Sequence, residues 1–298
     1  MKAFKSTLLI FLSIFILSSC GGNQKKQEAS QDETFDLESY IIAAESIEPN
    51  LNSVDQIFNI LDMVNAEYYE VLSNDPYNAH SYKTTYPIAA ANLGIYMADV
   101  LYHYYGENEE TMFLTFQAAQ ELAQYIGVQS QFASWTFEQL EGTVMKRDTI
   151  TRLFNQLLED SKNYTSEEEM VFVHTAFLTG SFVEKVYISS NLLQQKMNAA
   201  EMSQEEEADI RELLVIYLNQ LDPSTSILYE AFERQQDQLE GMMVLNTFER
   251  LRELSQQLQK VKPTLALAPI GEISGNNDLK TTFGLIANLR NQLVTATS

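Results

Sequence analysis

The histidines and the cysteine are the residue types of this chain that most often bind metals or act as nucleophiles, but their spacing supports neither role. A helical metalloprotease needs two histidines one turn apart with a glutamate between them. His80, His103 and His174 lie too far apart for that, and none follows a glutamate by three residues, as ferritin-like sites require. A single cysteine also excludes a haem-attachment motif and an intrachain disulfide. We therefore expect no metal and no cofactor.

Asp99 and His103 form the best polar pair, because they lie one helical turn apart, with Tyr96 close by on the same predicted helix. An aspartate can orient an imidazole and raise its basicity. A nucleophile is missing, since no glycine-flanked serine elbow and no spare cysteine accompany the pair. Two interpretations stay open. Tyr96, Asp99 and His103 line a pocket for a small molecule or glycan, or they are buried structural groups.

Other polar and aromatic groups have structural explanations beside the functional ones. The acidic runs 167–169 and 205–207 fall at predicted helix starts, where negative charge is favourable, so we interpret them as helix caps rather than metal ligands. His174 lies among apolar residues and is expected to be a partly buried core residue. A group of tyrosines around the third predicted helix either packs in the core or contacts a sugar or a partner protein; it comprises Tyr77, Tyr82, Tyr86, Tyr102, Tyr104 and Tyr105.

The elements that position these residues are predicted to be helices throughout. The chain contains only 11 glycines and 6 prolines, and no segment alternates apolar and polar residues between turns. Short connections imply antiparallel neighbours. We therefore predict an all-α fold without a sheet, either a multi-helix bundle or a solenoid-like array of helical hairpins.

Capping residues and breakers set the predicted helix boundaries. Ser203 with Glu206 forms a capping box, as do Ser53 with Gln56 and Ser166 with Glu169. Asp222 and Pro223 are expected to begin a new helix. The predicted helices span about 35–47, 53–72, 87–105, 109–126, 132–140, 149–163, 166–197, 203–221, 222–260 (as one helix or two) and 278–293.

The N-terminus combines Lys2 and Lys5 with an apolar stretch, residues 7–17, that is too short to span a membrane. Leu17-Ser18-Ser19-Cys20 follows and resembles the lipobox of bacterial lipoproteins. That resemblance implies cleavage before Cys20 and fatty acylation of its thiol, and two or three acyl chains anchor a protein firmly. We predict a signal peptide (1–19), a disordered tether (20–34), a main helical domain (35–262), a linker (263–277) and a C-terminal helix (278–298) packing on the main domain.

The net charge of the chain restricts its possible ligands, and the residue after Cys20 indicates the membrane in which the protein is expected. The formal net charge of −22 disfavours nucleic acids and anionic membrane surfaces as ligands. Within the lipoprotein resemblance, Gly21 in place of an aspartate favours the outer over the inner membrane. The lipid chains would make the membrane itself a partner, and we expect a further partner among the proteins of the cell envelope.

A second resemblance covers part of the middle of the chain. Residues 92–99 (NLGIYMAD), 110–112 and 121–123 are similar to a group of helical lipoproteins of Bacteroidota-type bacteria. The resemblance implies an all-helical fold and no particular activity. Together these features predict an anchored envelope protein that acts by binding or as a scaffold, without catalysis. The alternative is a small-molecule or glycan binder that uses Tyr96, Asp99 and His103.

Overall fold

The structure, a computed structural model, describes residues 67–128, 171–198, 203–233, 243–267 and 272–295, together with the single residues Asp62 and Arg152. These residues belong to one compact unit, Leu37–Ser298. Several sequence predictions lie outside the described residues: the signal peptide with Cys20, the tether, the capping boxes at Ser53 and Ser166, the helices 35–47 and 132–140, and all of the helix 149–163 except Arg152.

Every regular element among the described residues is helical, which confirms the prediction of an all-α fold. Two short 3₁₀ helices come first, Glu70–Leu72 and Pro76–Tyr82. Six α-helices follow in chain order: α1 (Tyr86–Tyr105), α2 (Glu109–Ile126), α3 (Val171–Met197), α4 (Gln204–Glu233), α5 (Met243–Leu267) and α6 (Asn277–Thr295).

Local sequence signals explain several helix ends. The Asn108 side chain accepts a hydrogen bond from the Thr111 N–H at 3.2 Å and caps α2. Gly127 ends that helix at φ 93°, a backbone conformation that glycine adopts without steric cost. The capping box before α4 is confirmed, because the Ser203 N–H donates to Glu206 Oε2 at 2.8 Å and the Glu206 N–H donates to Ser203 Oγ at 3.2 Å.

The sequence analysis predicted a new helix at Pro223 and a linker beginning at Pro263, but neither proline ends a helix in the structure. Helix α4 continues through Pro223 and α5 continues through Pro263, so residues 263–267 of the predicted linker are helical. Both prolines are exposed, as are Asn219 and Gln259, the residues four positions before them. Water can therefore bond to the carbonyl groups that each proline leaves without a partner, which lowers the cost of proline inside a helix.

The Asp222 side chain is also used differently from the prediction. Instead of capping a new helix, its carboxylate accepts hydrogen bonds from Gln259 Nε2 and Lys262 Nζ of α5, each at 2.9 Å. A contact between two helices thus replaces the predicted local cap, and α4 remains continuous.

The segment before α1 also differs from its prediction. The helix expected to reach Leu72 does not, because residues 67–69 are non-helical and only a 3₁₀ turn follows. Between the predicted helices 53–72 and 87–105, where no helix is predicted, the structure contains the 3₁₀ helix Pro76–Tyr82.

Helix α1 is deeply buried, with every residue from Ala89 to His103 in the core. It packs against α2 and α3, while α6 contacts α3 and α5, and α5 pairs with α4. The α1–α3 contact is close because glycines face the opposite backbone in both directions: Gly94 meets Phe177 and Ser181, and Gly180 meets Ala91. None of the helices in the described part of the chain is long and apolar enough to cross a membrane.

Candidate functional site: a buried polar row on helix α1

Helix α1 carries the three residues that the sequence analysis selected, and all three are sealed from solvent. Tyr96, Asp99 and His103 each have a relative exposure of 0%. Tyr102 shares their face of the helix and is also buried. We refer to Tyr96, Asp99, Tyr102 and His103 as the polar row of α1. Asp99 lies three residues after Tyr96 and three and four residues before Tyr102 and His103, so the four side chains follow one side of the helix.

The polar row binds the backbone of the irregular segment that precedes α1. The Tyr69 N–H donates to the Tyr102 hydroxyl oxygen at 2.8 Å. The Asn74 N–H donates to Asp99 Oδ2 at 3.0 Å, and the Tyr96 hydroxyl donates to the carbonyl of Asp75 at 2.9 Å. A segment without regular secondary structure needs such partners for its backbone groups when it is buried. The polar row supplies them.

His103 bonds to the start of the same segment. The Tyr68 hydroxyl lies 2.8 Å from His103 Nδ1, and Asn108 Nδ2 donates to the Tyr68 oxygen at 3.2 Å. Burial lowers the pKa of His103 to about 4, so its imidazole is neutral at pH 7 and shares a single hydrogen bond with the Tyr68 hydroxyl through Nδ1. Asp99 and His103 therefore hydrogen-bond different partners, and neither serves to activate the other.

Asp99 continues into an ionic cluster that the sequence analysis missed. Arg290 of α6 binds Glu184 of α3 through two hydrogen bonds, Nε to Oε2 at 2.9 Å and Nη2 to Oε1 at 3.1 Å. The Glu184 side chain is completely buried. The Arg290 guanidinium also lies 4.9 Å from the centre of the Tyr187 ring. One guanidinium thus faces two buried carboxyl groups, those of Glu184 and Asp99.

Ionising both carboxyl groups in the core beside a single cation would be energetically unfavourable. Burial raises the pKa of Asp99 well above its usual range, and the neighbouring Glu184 raises it further. Burial also raises the pKa of Glu184, while Arg290 opposes that rise. Because Arg290 binds Glu184 directly, Asp99 is the carboxyl group of the pair that keeps its proton. Among the described residues, no N–H or O–H group donates to Asp99 Oδ1, which is consistent with that oxygen carrying the proton.

Sequence reasoning missed Glu184, Arg290 and Asn74 because each is far from Asp99 in the chain. A signal for Glu184 does exist. Glu184 and its neighbour Lys185 are the charged residues of a helix segment that is otherwise mostly apolar or small, and a charged residue buried in such a segment needs an internal partner. The sequence does not reveal that this partner is Arg290, 106 positions later.

The structure also shows how deeply the tyrosines and His174 are buried. Tyr82 and Tyr102 are buried, Tyr104 and Tyr105 are partly buried, and Tyr77 and Tyr86 are exposed. His174 is fully buried, more deeply than predicted. In the described part of the chain no group of histidine, cysteine, aspartate or glutamate side chains could hold a metal ion.

The geometry of the polar row suits a structural role. Each member bonds to another part of the chain, the carboxyl pair shares its charge with Arg290, and the row has no access to solvent. A ligand would reach Tyr96, Asp99 and His103 only after residues 68–75 had left α1.

Comparison with protein-family models, with curated proteins and with solved structures finds no match to this chain.

Proposed function

We propose that this chain is a lipid-anchored protein of the bacterial cell envelope that acts by binding a partner protein, as an accessory or scaffold, without catalysis. The observation that carries the binding part is the use of the polar row. Asp99 and His103 are the residues best suited to chemistry, but they hold the segment 68–75 against α1 and are not accessible to a substrate. This arrangement supports a rigid helical body rather than an active site.

Support for the anchor comes from the amino-acid sequence. The basic start, the short apolar stretch and Leu17-Ser18-Ser19-Cys20 together resemble a lipoprotein signal. Acylation also accounts for a lone cysteine in an exported protein. Gly21 favours the outer membrane as the destination.

The anchor is tested by expressing the full chain in a diderm bacterium fed an alkyne-labelled palmitate. We expect the wild-type chain to take up the label and to sediment with outer-membrane vesicles. The Cys20→Ser variant should lose both properties, while Ser18→Ala serves as a control that keeps the cysteine. An unlabelled wild-type chain in the wash fraction would contradict the anchor.

Binding without catalysis is tested by affinity capture from envelope extract with the tagged full chain. We expect a defined protein to be recovered in near-stoichiometric amount, unchanged in mass. The Asp99→Asn variant should capture it equally well, because Asp99 is buried and makes no contact with a partner. Recovery of a chemically altered envelope component, dependent on Asp99 or His103, would contradict the proposal.

A further inference from the structure

Exposed large apolar side chains are concentrated on one short stretch of the described chain. Val71 is 87% exposed and Tyr77 is 80% exposed, far more than apolar side chains of this size usually are. Tyr69 and Tyr86 are exposed to a lesser degree, and beyond residue 86 the described residues add only Ile216, at 38%. We refer to Tyr69, Val71 and Tyr77 as the 69–77 patch.

The backbone that carries this patch is fixed by the polar row of α1. Tyr69 is held by Tyr102, Asn74 by Asp99 and Asp75 by Tyr96. Tyr96 and Tyr102 are about 9 Å apart along the helix axis at a rise of about 1.5 Å per residue. Val71 therefore lies between two attachment points, and its backbone position is set before any partner arrives.

The backbone of Tyr77 is held by a residue of its own segment. Its N–H donates to Asp75 Oδ1 at 2.9 Å, at the start of the 3₁₀ helix Pro76–Tyr82. Apolar side chains on a fixed backbone lose little conformational entropy when they bind. Tyrosine is also among the residues that most often contribute large shares of binding energy.

The patch is small enough for a single partner to cover. Val71 and Tyr77 are six positions apart, so their Cα atoms are separated by at most about 22 Å even in a fully extended chain. A standard interface covers about 800 Å² on each protein, which is enough to include both side chains and the residues around them.

Negative charge surrounds the patch. Glu67, Glu70 and Asp75 are exposed, and residues 67–82 contain no lysine or arginine. Neutral groups donate to these carboxylates: the Tyr69 hydroxyl to Glu67, the Thr111 hydroxyl to Glu70 and the Tyr77 N–H to Asp75. Their charge is therefore available to a cationic partner. A second copy of this acidic chain would be repelled at the same place.

We propose that the 69–77 patch, with its rim of Glu67, Glu70 and Asp75, binds a protein segment in which lysine or arginine side chains flank a large apolar side chain. The inference rests on the proposed binding function and specifies where binding occurs and the chemistry of the partner. It also gives the polar row a purpose, because those buried groups hold the patch in its exposed position.

The test uses the full chain in detergent and a displayed library of random dodecapeptides as the probe. We expect selection to enrich peptides that combine lysine or arginine with a large apolar residue. Val71→Ser and Tyr77→Ser should each weaken their binding at least tenfold without unfolding the protein, since both side chains are exposed. Ile216→Ser is the matched control, an exposed apolar residue on α4 that should leave binding unchanged.

A charge variant tests the contribution of the acidic rim independently of the apolar side chains of the patch. Glu67→Gln with Glu70→Gln retains hydrogen-bond acceptors, and we expect it to weaken peptide binding and flatten its dependence on salt. Peptides that bind equally well to the Val71 and Tyr77 variants would overturn this inference but leave the proposed binding function standing. Enrichment of acidic peptides, the absence of any enrichment, or self-association that Tyr77→Ser abolishes would each overturn it too.

Discussion

At the residue scale, the chain places acids and a histidine where water cannot reach them and gives each a specific partner. Sequence reasoning selected Tyr96, Asp99 and His103 because they share a helical face, and the structure places them on one face. It did not identify their partners, which come from the preceding segment and from α3 and α6. The spacing of residues along a helix determines on which side their side chains lie. Which distant residues those side chains contact depends on how the helices pack.

Asp99→Asn should be tolerated much better than Asp99→Ala. The asparagine oxygen can accept from the Asn74 N–H, and the asparagine side chain is neutral, as the protonated acid is. Alanine leaves the buried Asn74 N–H without its acceptor, at a cost of about 1–3 kcal/mol for an unsatisfied buried group. Urea unfolding of both variants measures the difference. Equal destabilisation by the two substitutions would show that Asp99 is ionised in the folded protein.

Asp99 should also make stability fall as the pH rises. Folding raises its pKa, so its stabilising contribution is complete below the unfolded pKa of about 3.9 and is lost as the pH rises towards the folded pKa. Unfolding free energies of wild type and Asp99→Asn between pH 5 and 7 test this, because subtracting the two curves removes contributions from other groups. We expect the difference to shift in favour of the variant with increasing pH. A constant difference would refute the raised pKa.

His103 should have the opposite effect in acid. Folding lowers its pKa from about 6.5 to about 4, so its contribution is present above the unfolded value and is lost as the pH falls through this range. Histidine nuclear magnetic resonance titration, with His103→Gln used to assign the signal, checks this directly. A midpoint near 6.5 for His103 in the folded protein would contradict its burial as a neutral group.

At the element scale, local signals predicted helix ends well wherever no tertiary contact competed with them. The bounds of α2 and the capping box of α4 agree with the sequence because capping uses neighbouring residues alone. Pro223 and Pro263 were interpreted as breaks, but both lie on solvent-facing positions within continuous helices. The exposure of a position depends on packing, and the sequence window around a proline does not reveal it.

The close approach of α1 and α3 gives a sharp prediction for glycine. An alanine at position 94 or 180 would place its Cβ against backbone atoms of the facing helix, which cannot move as a flexible side chain can. We expect Gly94→Ala and Gly180→Ala each to destabilise the protein by several kcal/mol, or to prevent folding, because overpacking a rigid contact costs about 1–3 kcal/mol or more.

Gly284→Ala is the matched control for these substitutions. Gly284 lies in α6, and a Cβ there would meet no atom within 4 Å. Since alanine is a better helix former, this variant should gain about 0.5–1 kcal/mol. Thermal unfolding of the three variants distinguishes the effects. A similar change in all three would mean that helix propensity, and not the α1–α3 contact, decides the outcome.

At the scale of the whole molecule, an internal ion pair links α3 with the last helix. Glu184 and Arg290 join residues 106 positions apart, and the Asn92 side chain of α1 donates to the carbonyl of Leu293 in α6 at 3.0 Å. Helix α6 therefore completes the core around α1 and α3 rather than lying as a separate appendage.

Breaking this ion pair on one side should cost more than removing it entirely. Arg290→Met leaves the buried Glu184 without its cation, for which about 3–5 kcal/mol is typical. The double variant Glu184→Gln with Arg290→Met removes both charges and should recover a substantial part of the loss. A double-mutant cycle by chemical unfolding measures this coupling. Strictly additive effects would mean that the two side chains do not interact across the core.

The sequence by itself determined the helical class of the described body, several helix ends and the side of α1 that carries polar groups. These depend on periodicity and capping, which act over a few residues. Only the tertiary structure decided that Asp99 and His103 hold a neighbouring segment, that Glu184 and Arg290 complete the cluster, and that Val71 and Tyr77 face solvent. Those outcomes depend on contacts between distant parts of the chain and on which surfaces the helices bury together.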